Sequence, residues 1–216
     1  MKKKILIVIF LLITAFVSAQ ALINMGGKQS YKIEALKKEE ELVYKTKGTR
    51  EGFVLSLYGK SKDGTERELG TIKYFSGYSC LCNNGLLYFS VDNYFLEETN
   101  PGIVDELFVL NPKKGIIEKV LDAQVFTVSD DGRYICYCEV YQKAIEENHV
   151  VDYWYIYDTK NKISKVIINQ KQKNNWDVGI PVFDKKTESF VFEIGYDDVV
   201  MDTIFFNPCK IDFVTK

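Results

Sequence analysis

A short pattern recurs along the chain at nearly constant spacing. In each copy an apolar strand segment ends at Asn or Asp, a turn containing lysine follows, and a second apolar segment begins. The Asn or Asp positions are Asn111, Asp158 and Asn207, which are 47 and 49 residues apart. A period of roughly 20–50 residues indicates a supersecondary unit that stacks on copies of itself, because one small unit cannot bury both of its faces.

A second pattern lies upstream of the first one and has the same spacing. Asn84-Gly85 and Asp131-Gly132 each precede an apolar segment, and Gly85 and Gly132 are 47 residues apart. Tight β-hairpin turns need a positive φ, which Gly and Asn adopt at low cost. A looser third copy begins at Asp184. Each repeat therefore predicts four strands, which in the clearest copy span roughly 125–129, 133–140, 153–158 and 163–168.

The predicted fold is all-β and β-propeller-like, because a four-stranded antiparallel unit with this period is typical of a propeller blade. About four blades fit the chain, as a closed four-bladed ring, an open arc, or half of a propeller that a second copy completes. The start of the first blade has two interpretations, since Ser30–Leu36 fits an innermost strand and Ile33–Glu41 fits a short helix. The domain spans 21–216, and its predicted blades span roughly 30–75, 78–122, 124–170 and 178–216.

Two neighbouring segments resemble a known repeat. Val125–Tyr137 is similar to the F-x-x-S-P-D-G-x-x-(I/L)-x-(Y/F) core of TolB-type, WD-like β-propeller repeats. Tyr155–Lys162 is similar to the I-Y-(D/V)-x-x-(T/S)-G-K hairpin that follows this core in the family. The chain has Asp130 where the family usually has Pro, and Lys162 where it often has Gly. The resemblance implies a propeller fold and no catalytic residues, because these repeats serve as scaffolds for many functions.

The first twenty residues have the three parts of a secretory signal peptide. Lys2, Lys3 and Lys4 precede an apolar run over Ile5–Val17, and small residues follow. This run is shorter than the roughly 20 residues of a membrane-spanning helix. We therefore expect residues 1–20 to be cleaved, with a retained N-terminal anchor as the alternative. The mature protein is expected in the periplasm or outside the cell, with no later segment long enough to span a membrane.

The expected mature chain is acidic, and its carboxylates are clustered. Loss of the three N-terminal lysines lowers the formal net charge from −2 to −5, which argues against nucleic acid as a partner, since that needs a basic stripe. In each clear repeat the predicted loop between the second and third strands is acidic, and these acidic segments are 92–106, 139–152 and 193–202. Two of them are longer than a hairpin requires and include Tyr94, Phe95 and Tyr141. Aromatic side chains among charges are typical of a contact surface. We therefore predict that a protein partner binds through Tyr94, Phe95, Glu97, Glu98, Tyr141, Glu146, Glu147, Asp197 and Asp198.

Two other interpretations of the acidic loops stay open. The loops can be solvated edges that keep the fold soluble, or they can hold a cation. Asp92, Asp197 and Asp198 offer the hard oxygen ligands that Ca²⁺ prefers, but no loop has the spaced D-x-D-x-D-G pattern, so no cofactor is predicted. The predicted turns between third and fourth strands emerge at the other end of the blades and are basic, with Lys113, Lys114, Lys160, Lys162 and Lys210.

The cysteines form two C-x-C pairs and one single residue: Cys80, Cys82, Cys136, Cys138 and Cys209. Alternate positions on a strand place both members of a pair on one face. We predict packed free thiols in the blade cores. A disulfide between the pairs, which an oxidising compartment permits, and a metal site are the alternatives.

Catalytic patterns are sparse. His149 is the only histidine, and the chain has no G-x-S-x-G, G-x-G-x-x-G or P-loop motif. These observations predict a non-enzymatic scaffold that binds a protein partner in the cell envelope and is able to form a homodimer. One alternative is a glycan-acting hydrolase, which needs two carboxylates facing each other roughly 5–9 Å apart. The other alternative is a structural propeller stabilised by a cation.

Overall fold

In a computed structural model of the chain, strands form nearly all of the regular structure. The structure describes residues 22–25, 28–50, 52–92, 105–123, 125–140, 151–171, 177–196 and 199–213. The helical structure within these ranges is one 3₁₀ turn, Pro208–Lys210. Within the same ranges no helix has the length and apolar character needed to cross a membrane. The strands are β1 (Leu22–Ile23), β2 (Ser30–Lys32), β3 (Glu41–Thr49), β4 (Gly52–Lys60), β5 (Glu66–Leu81), β6 (Leu87–Val91), β7 (Glu106–Asn111), β8 (Ile116–Asp122), β9 (Val125–Val128), β10 (Tyr134–Val140), β11 (Val151–Asp158), β12 (Ile163–Lys171), β13 (Asp177–Val178), β14 (Val182–Asp184), β15 (Ser189–Tyr196) and β16 (Val199–Phe206).

The third and fourth units are separate four-stranded antiparallel sheets. β9, β10, β11 and β12 follow one another across the third unit, with Tyr134 opposite Asp158 and Cys138 opposite Val125. In the fourth unit β15 is central, with β13 and β14 along one edge and β16 along the other. The all-β, β-propeller-like prediction is confirmed. The described strands form no closed ring, which is consistent with an open arc or half of a propeller.

The first and second units share one strand. β5 is 16 residues long, and β4 pairs with its first part while β6 pairs with its last part. The first unit thus contains β1, β3, β4 and the first part of β5, and the second contains the rest of β5, β6, β7, β8 and β2. The structure joins the first two predicted blades into one eight-stranded sheet. Positive φ angles at Tyr74 (57°) and Gly77 (100°) accompany a register shift there, and such irregularities bend a strand.

The N-terminal segment adopts neither of the two structures considered for it. β2 pairs with β8 at the edge of the second unit, and β1 lies beside β5 as a parallel strand. Residues 33–37 have no regular structure. The Arg67 guanidinium donates hydrogen bonds to both Glu40 carboxylate oxygens, at 3.1 and 2.7 Å, and to the Ala35 carbonyl at 3.0 Å. This pairing, which holds the pKa of Glu40 at about 2, fixes the segment in an extended path in place of a helix.

Three apolar clusters join the four units in a row. The first cluster lies between the two parts of the eight-stranded sheet and includes Leu55 and Phe108. The second cluster joins β6 and β7 to the third unit, around Ile135. The third cluster joins the third and fourth units, where the rings of Trp154 and Phe192 meet edge to face with centroids 5.2 Å apart. Each internal unit is therefore covered on both faces, as stacked blades require.

Equivalent residues of neighbouring repeats hydrogen-bond to each other. The backbone amide of Asn83 donates to the carbonyl of Asp130 at 2.9 Å. The side-chain amide of Asn84 donates to the carbonyl of Asp131 at 2.7 Å. Both pairs are 47 residues apart in the sequence. The period of the sequence repeat is thus also the register in which the second and third units stack.

Candidate functional site

The acidic segments are described only where they join the strands. β6 ends at Val91 opposite Glu106, the first residue of β7, so residues 92–105 connect two adjacent antiparallel strands. The turn at 112–115 lies at the other end of β7. The predicted leader at 1–20 also lies outside the described residues. So do the predicted contact residues Tyr94, Phe95, Glu97, Glu98, Tyr141, Glu146, Glu147, Asp197 and Asp198.

Carboxylates gather at the ends of β6 and β7 where the first acidic segment begins and ends. Burial, together with the negative charge of Asp92, raises the pKa of Asp105 to about 7. The neighbouring Glu106 is buried and pairs with Lys119, whose ammonium also lies 2.7 Å from the Asp122 carboxylate. One lysine thus serves two carboxylates. Among the described residues, no ion pair involves the Asp105 carboxylate.

Replacement of Asp105 by Asn is expected to raise the melting temperature at pH 8 and to leave it unchanged at pH 4. An acid whose pKa is raised by folding contributes its full stability below the unfolded pKa of about 3.9, and this contribution is lost as the pH rises through the folded pKa of about 7. We expect a gain of a few degrees at pH 8, since ~1 kcal/mol corresponds to about 2–4 °C in a chain of this size. Scanning fluorimetry at both pH values measures the effect, with Glu118→Gln at an exposed position of β8 as the control. Equal gains in the two variants would contradict this account of Asp105.

The end of the sheets opposite the acidic segments carries both positive and negative charges. Besides lysines, its turns contain carboxylates that accept hydrogen bonds from backbone amides. Asp158 is 1% exposed and accepts hydrogen bonds from the backbone amide of Lys160 at 2.9 Å and from the Arg133 guanidinium at 3.3 Å. Burial raises the pKa of Asp158, but these hydrogen bonds outweigh burial and hold the pKa below its ordinary value. The predicted lysines at this end are exposed: Lys113, Lys114, Lys160, Lys162 and Lys210.

A groove that sequence reasoning missed lies on the free face of the first unit. The other face of β4 and β5 packs into the first cluster through Leu55, Leu57 and Ile72, so the groove faces away from the second unit. Its volume is about 520 Å³, and the described residues that line it include no carboxylate. We call it the basic groove, because its charged and aromatic lining consists of Lys47, Arg50, Lys73, Phe53, Tyr58 and Tyr74.

Strand register places the polar groups of the basic groove. Lys47 on β3 and Lys73 on β5 both lie opposite Val54 on β4, so the lysines flank Val54 on one face. Adjacent strands are ~4.8 Å apart, which puts the Cα atoms of the two lysines about 10 Å apart. In the next row the hydroxyls of Ser56 and Thr71 hydrogen-bond at 3.0 Å, and the Thr71 hydroxyl also donates to the Glu68 carboxylate at 3.0 Å. The sheet thus carries two lysines, two hydroxyls and one carboxylate in this region.

The lysines of β3 differ in how far they are neutralised. The Lys45 ammonium lies 2.5 Å from the Glu66 carboxylate and 4.9 Å from the centre of the Tyr58 ring, and the hydrogen bond that it donates to Glu66 raises the pKa of Lys45. Lys47 is exposed and forms no ion pair with a carboxylate of the described residues. Phe53, at the rim, has 53% of its surface exposed. The basic groove therefore offers a ligand an accessible cation beside an accessible ring.

All five cysteines are free thiols in the structure. Cys80 and Cys82 pack in the second cluster, and Cys136 and Cys138 pack in the third. Both pairs thus share a face and lie in cores, as the C-x-C spacing predicts. Cys209 is exposed.

Native alkylation is expected to separate these thiols. A hydrogen bond between the side chains of Cys80 and Cys82 lowers the pKa of Cys80 to about 7 and raises that of Cys82, while burial raises the pKa of Cys136. Because the thiolate is the nucleophile, iodoacetamide at pH 7.5 should modify Cys209 and the half-buried Cys80 first. The other three should react only after unfolding. Peptide mass spectrometry over a time course measures the rates, and alkylation of native Cys136 as fast as Cys209 would contradict the packing described above.

Metal and catalytic hypotheses gain no support from the described residues. These contain no group of three or more His, Cys, Asp or Glu placed to hold a metal ion. Asp92 is described, whereas Asp197, Asp198 and His149 lie outside the described residues. The cation-stabilised propeller and the glycan-acting hydrolase therefore stay predictions from the sequence.

Comparison with known proteins adds two structural likenesses. No protein-family model matches the chain, and no curated protein matches its sequence. The crystal structure of the tricorn protease is similar, with 15% identity and a TM-score of 0.48, over 82% of this chain and 20% of that chain. The β-propeller domain of the Trilobed protease from Pyrococcus furiosus is also similar, with 14% identity and a TM-score of 0.45, over 83% of this chain and 53% of that chain. The chain thus spans about a fifth and about half of their lengths. Its own strand order defines it as a β-propeller-like scaffold.

Proposed function

We propose that the chain is an exported, non-enzymatic β-propeller-like scaffold that binds a protein partner in the cell envelope through its acidic segments. The three-part pattern of residues 1–20 supports export. The row of stacked sheets supports a scaffold role, because rigid elements hold binding loops at fixed positions. The lack of a nucleophile motif and of a second histidine in the sequence supports a function without catalysis.

The observation that carries this proposal is the composition of residues 92–106, which contain five carboxylates and no Lys or Arg. Negative charge concentrated in this way steers a basic partner and makes association dependent on salt. The five carboxylates of the segment are Asp92, Glu97, Glu98, Asp105 and Glu106.

A crosslinked pull-down with tagged mature protein from its own envelope extract tests the proposal. We compare wild type with a variant in which Glu97, Glu98, Asp197 and Asp198 are changed to Lys. We expect one partner to be captured by wild type at 50 mM salt, and to be reduced at least fivefold in the variant and at 500 mM salt. In the matched control, four lysines of the turns at the other end of the blades are changed to Glu, at Lys113, Lys114, Lys160 and Lys162. This control should capture the partner as wild type does. Loss of the partner in the control alone would contradict the acidic contact surface.

A further inference from the structure

We propose that two copies of the chain associate head to tail, with the free face of the fourth unit of each copy packed on the free face of the first unit of the other. Four units from each copy then complete one ring, within the range of roughly four to eight blades that propellers have. This contact goes beyond the acidic contact surface proposed above and uses none of its predicted contact residues. Either proposal can therefore fail without the other.

Three apolar side chains lie side by side on the free face of the fourth unit, which we call the terminal face. Val182 on β14 and Phe205 on β16 are both opposite Val191 on β15, so the three form one row across the sheet. Phe190 and Phe192, the neighbours of Val191, are buried against the third unit, so the row points away from that unit. Val182 is 64% exposed and Phe205 is 55% exposed. The stack thus ends on an apolar row that faces outward.

The sequence repeat shows what such a row contacts in an internal unit. Alignment of the third and fourth repeats places Ile156 at the position of Phe205. It likewise places Cys136 at the position of Val191, and the strand register agrees, since the two residues of each unit lie opposite each other. Ile156 and Cys136 are fully buried where the third unit meets the fourth. Stacks of repeats usually end on a polar face, whereas the terminal face resembles one that packs on a following unit.

The first unit of a second copy offers the face that a following unit would offer. Each apolar cluster joins one face of a unit to the preceding face of the next unit along the chain. The first unit is the one whose preceding face stays free, and this face contains the basic groove. The exposed ring of Phe53 and the half-buried side chains of Val54 and Tyr58 lie there. The groove therefore presents apolar surface to the row of the terminal face.

Charge favours the basic groove over a second terminal face as the surface in contact. Glu193 lies two residues from Val191 on the same face of β15 and is exposed. Lys47 and Arg50 at the basic groove are also exposed. Head-to-tail contact brings the carboxylate of one copy near these cations of the other, whereas contact between two terminal faces brings like charges together. Charge complementarity therefore selects the first unit of a second copy as the occupant.

Sedimentation equilibrium of the mature chain between 1 and 300 µM tests this inference. We expect the mass to rise from one chain to two chains and then to stay constant. Half of the chains should be paired at about 10–100 µM, which is typical of a small and weak interface. Unfolding measured at 1 µM therefore reports on single chains.

Two variants each place a carboxylate in one of the two faces. Phe205→Glu on the terminal face and Phe53→Glu at the basic groove should each weaken association at least tenfold, because the new charge would be buried against apolar surface. Both side chains are more than half exposed in the single chain, so both variants should fold, and an unchanged melting temperature at 1 µM checks this. The matched control is Val166→Glu on β12, at an exposed position of the third unit. It should associate within twofold of wild type.

Crosslinking of an equal mixture of ¹⁴N- and ¹⁵N-labelled chains identifies the faces in contact. A carbodiimide applied at 300 µM chain should join Glu193 of one copy to Lys47 of the other. Linked peptides that carry one isotope each show that the bond lies between two copies.

Three results would overturn the inference. The first is a mass of one chain at 300 µM. The second is association of Phe53→Glu equal to that of wild type, which would assign the contact to two terminal faces. The third is a mass that keeps rising beyond two chains, which indicates an open assembly in place of a ring. A variant with Glu97 and Glu98 changed to Lys should associate as wild type does, which separates this contact from the acidic contact surface.

Discussion

Phe108→Ala is expected to lower the free energy of unfolding by about 3–5 kcal/mol, which is the usual cost of removing a fully buried ring. Phe108 is fully buried in the first cluster, where its ring stacks on that of Phe89 with centroids 5.9 Å apart. Both residues lie within paired strands of the eight-stranded sheet. The cavity therefore cannot be closed by movement of a loop. Urea denaturation followed by far-ultraviolet circular dichroism measures the loss.

The matched control is Phe205→Ala on β16. The side chain of Phe205 is 55% exposed, so its removal should change the free energy of unfolding by less than about 0.5 kcal/mol. The two variants remove the same atoms from strands of similar type. Equal losses in both, or a loss below about 1 kcal/mol for Phe108→Ala, would contradict the placement of the first cluster.

Gly115→Ala is expected to cost about 2–4 kcal/mol, because it combines backbone strain with a clash against backbone atoms. Gly115 has a φ of 63°, and a Cβ atom there would lie 2.4 Å from the Ile33 carbonyl oxygen and 2.9 Å from the Ala35 nitrogen. The carbonyl of Gly115 also accepts a hydrogen bond from the Ile33 amide at 2.8 Å. The added methyl group therefore pushes the N-terminal segment away from the β7–β8 turn. Thermal unfolding gives the cost, and hydrogen exchange at the Leu36 amide, which donates to Pro112, reports the detachment.

Gly85→Ala is the control that measures the cost of backbone strain at a positive φ without a steric clash. Gly85 has a φ of 81°, and nothing lies within 4 Å of the position of its Cβ. We expect a cost of about 1 kcal/mol, from the positive φ alone. Hydrogen exchange at the Leu36 amide should stay at the wild-type rate. If Gly115→Ala costs no more than Gly85→Ala, the close approach of the N-terminal segment to this turn is wrong.

The repeat could be predicted from the sequence because its signals are local. Asn111, Asp158 and Asn207 each use a side-chain oxygen to accept a backbone amide two or three residues further on, as in the 3.2 Å bond from Lys114 and the 2.9 Å bond from Cys209. Such turns need Asn or Asp at one fixed position. That requirement puts the same residue types at a constant spacing. The four strands of the third unit were predicted within a few residues for the same reason.

The shared strand and the N-terminal pairing have no such local signal. β5 runs through Tyr74 and Gly77 without a polar turn sequence, so nothing marks where one unit ends and the next begins. β2 has only three residues, and its partner β8 lies far along the chain. The extended path before β3 depends on Arg67, which is also distant in sequence from Glu40. Pairings of this kind follow from the completed fold and not from residue patterns.

The basic groove also depends on register. Its lysines come from β3 and β5, and each is unremarkable on its own strand, where alternating lysines indicate a solvated edge. The two lysines lie on one face because β3 and β5 both pair with β4, where Lys47 and Lys73 are each opposite Val54. The alternation of Lys45 and Lys47 on β3 is the one sequence signal that indicates a basic sheet face. The acidic segments, in contrast, are evident in the sequence as runs rich in carboxylates, with Lys143 as their single lysine.

Zero-length crosslinking of the captured complex tests the central claim most directly. A carbodiimide joins a carboxylate to a lysine only where the two are in contact, and mass spectrometry then identifies the linked peptides. The account predicts that lysines of the partner are linked to carboxylates within residues 92–106, 139–152 and 193–202. Crosslinks that join the partner only to the exposed turn lysines, such as Lys113 and Lys160, would contradict an acidic contact surface.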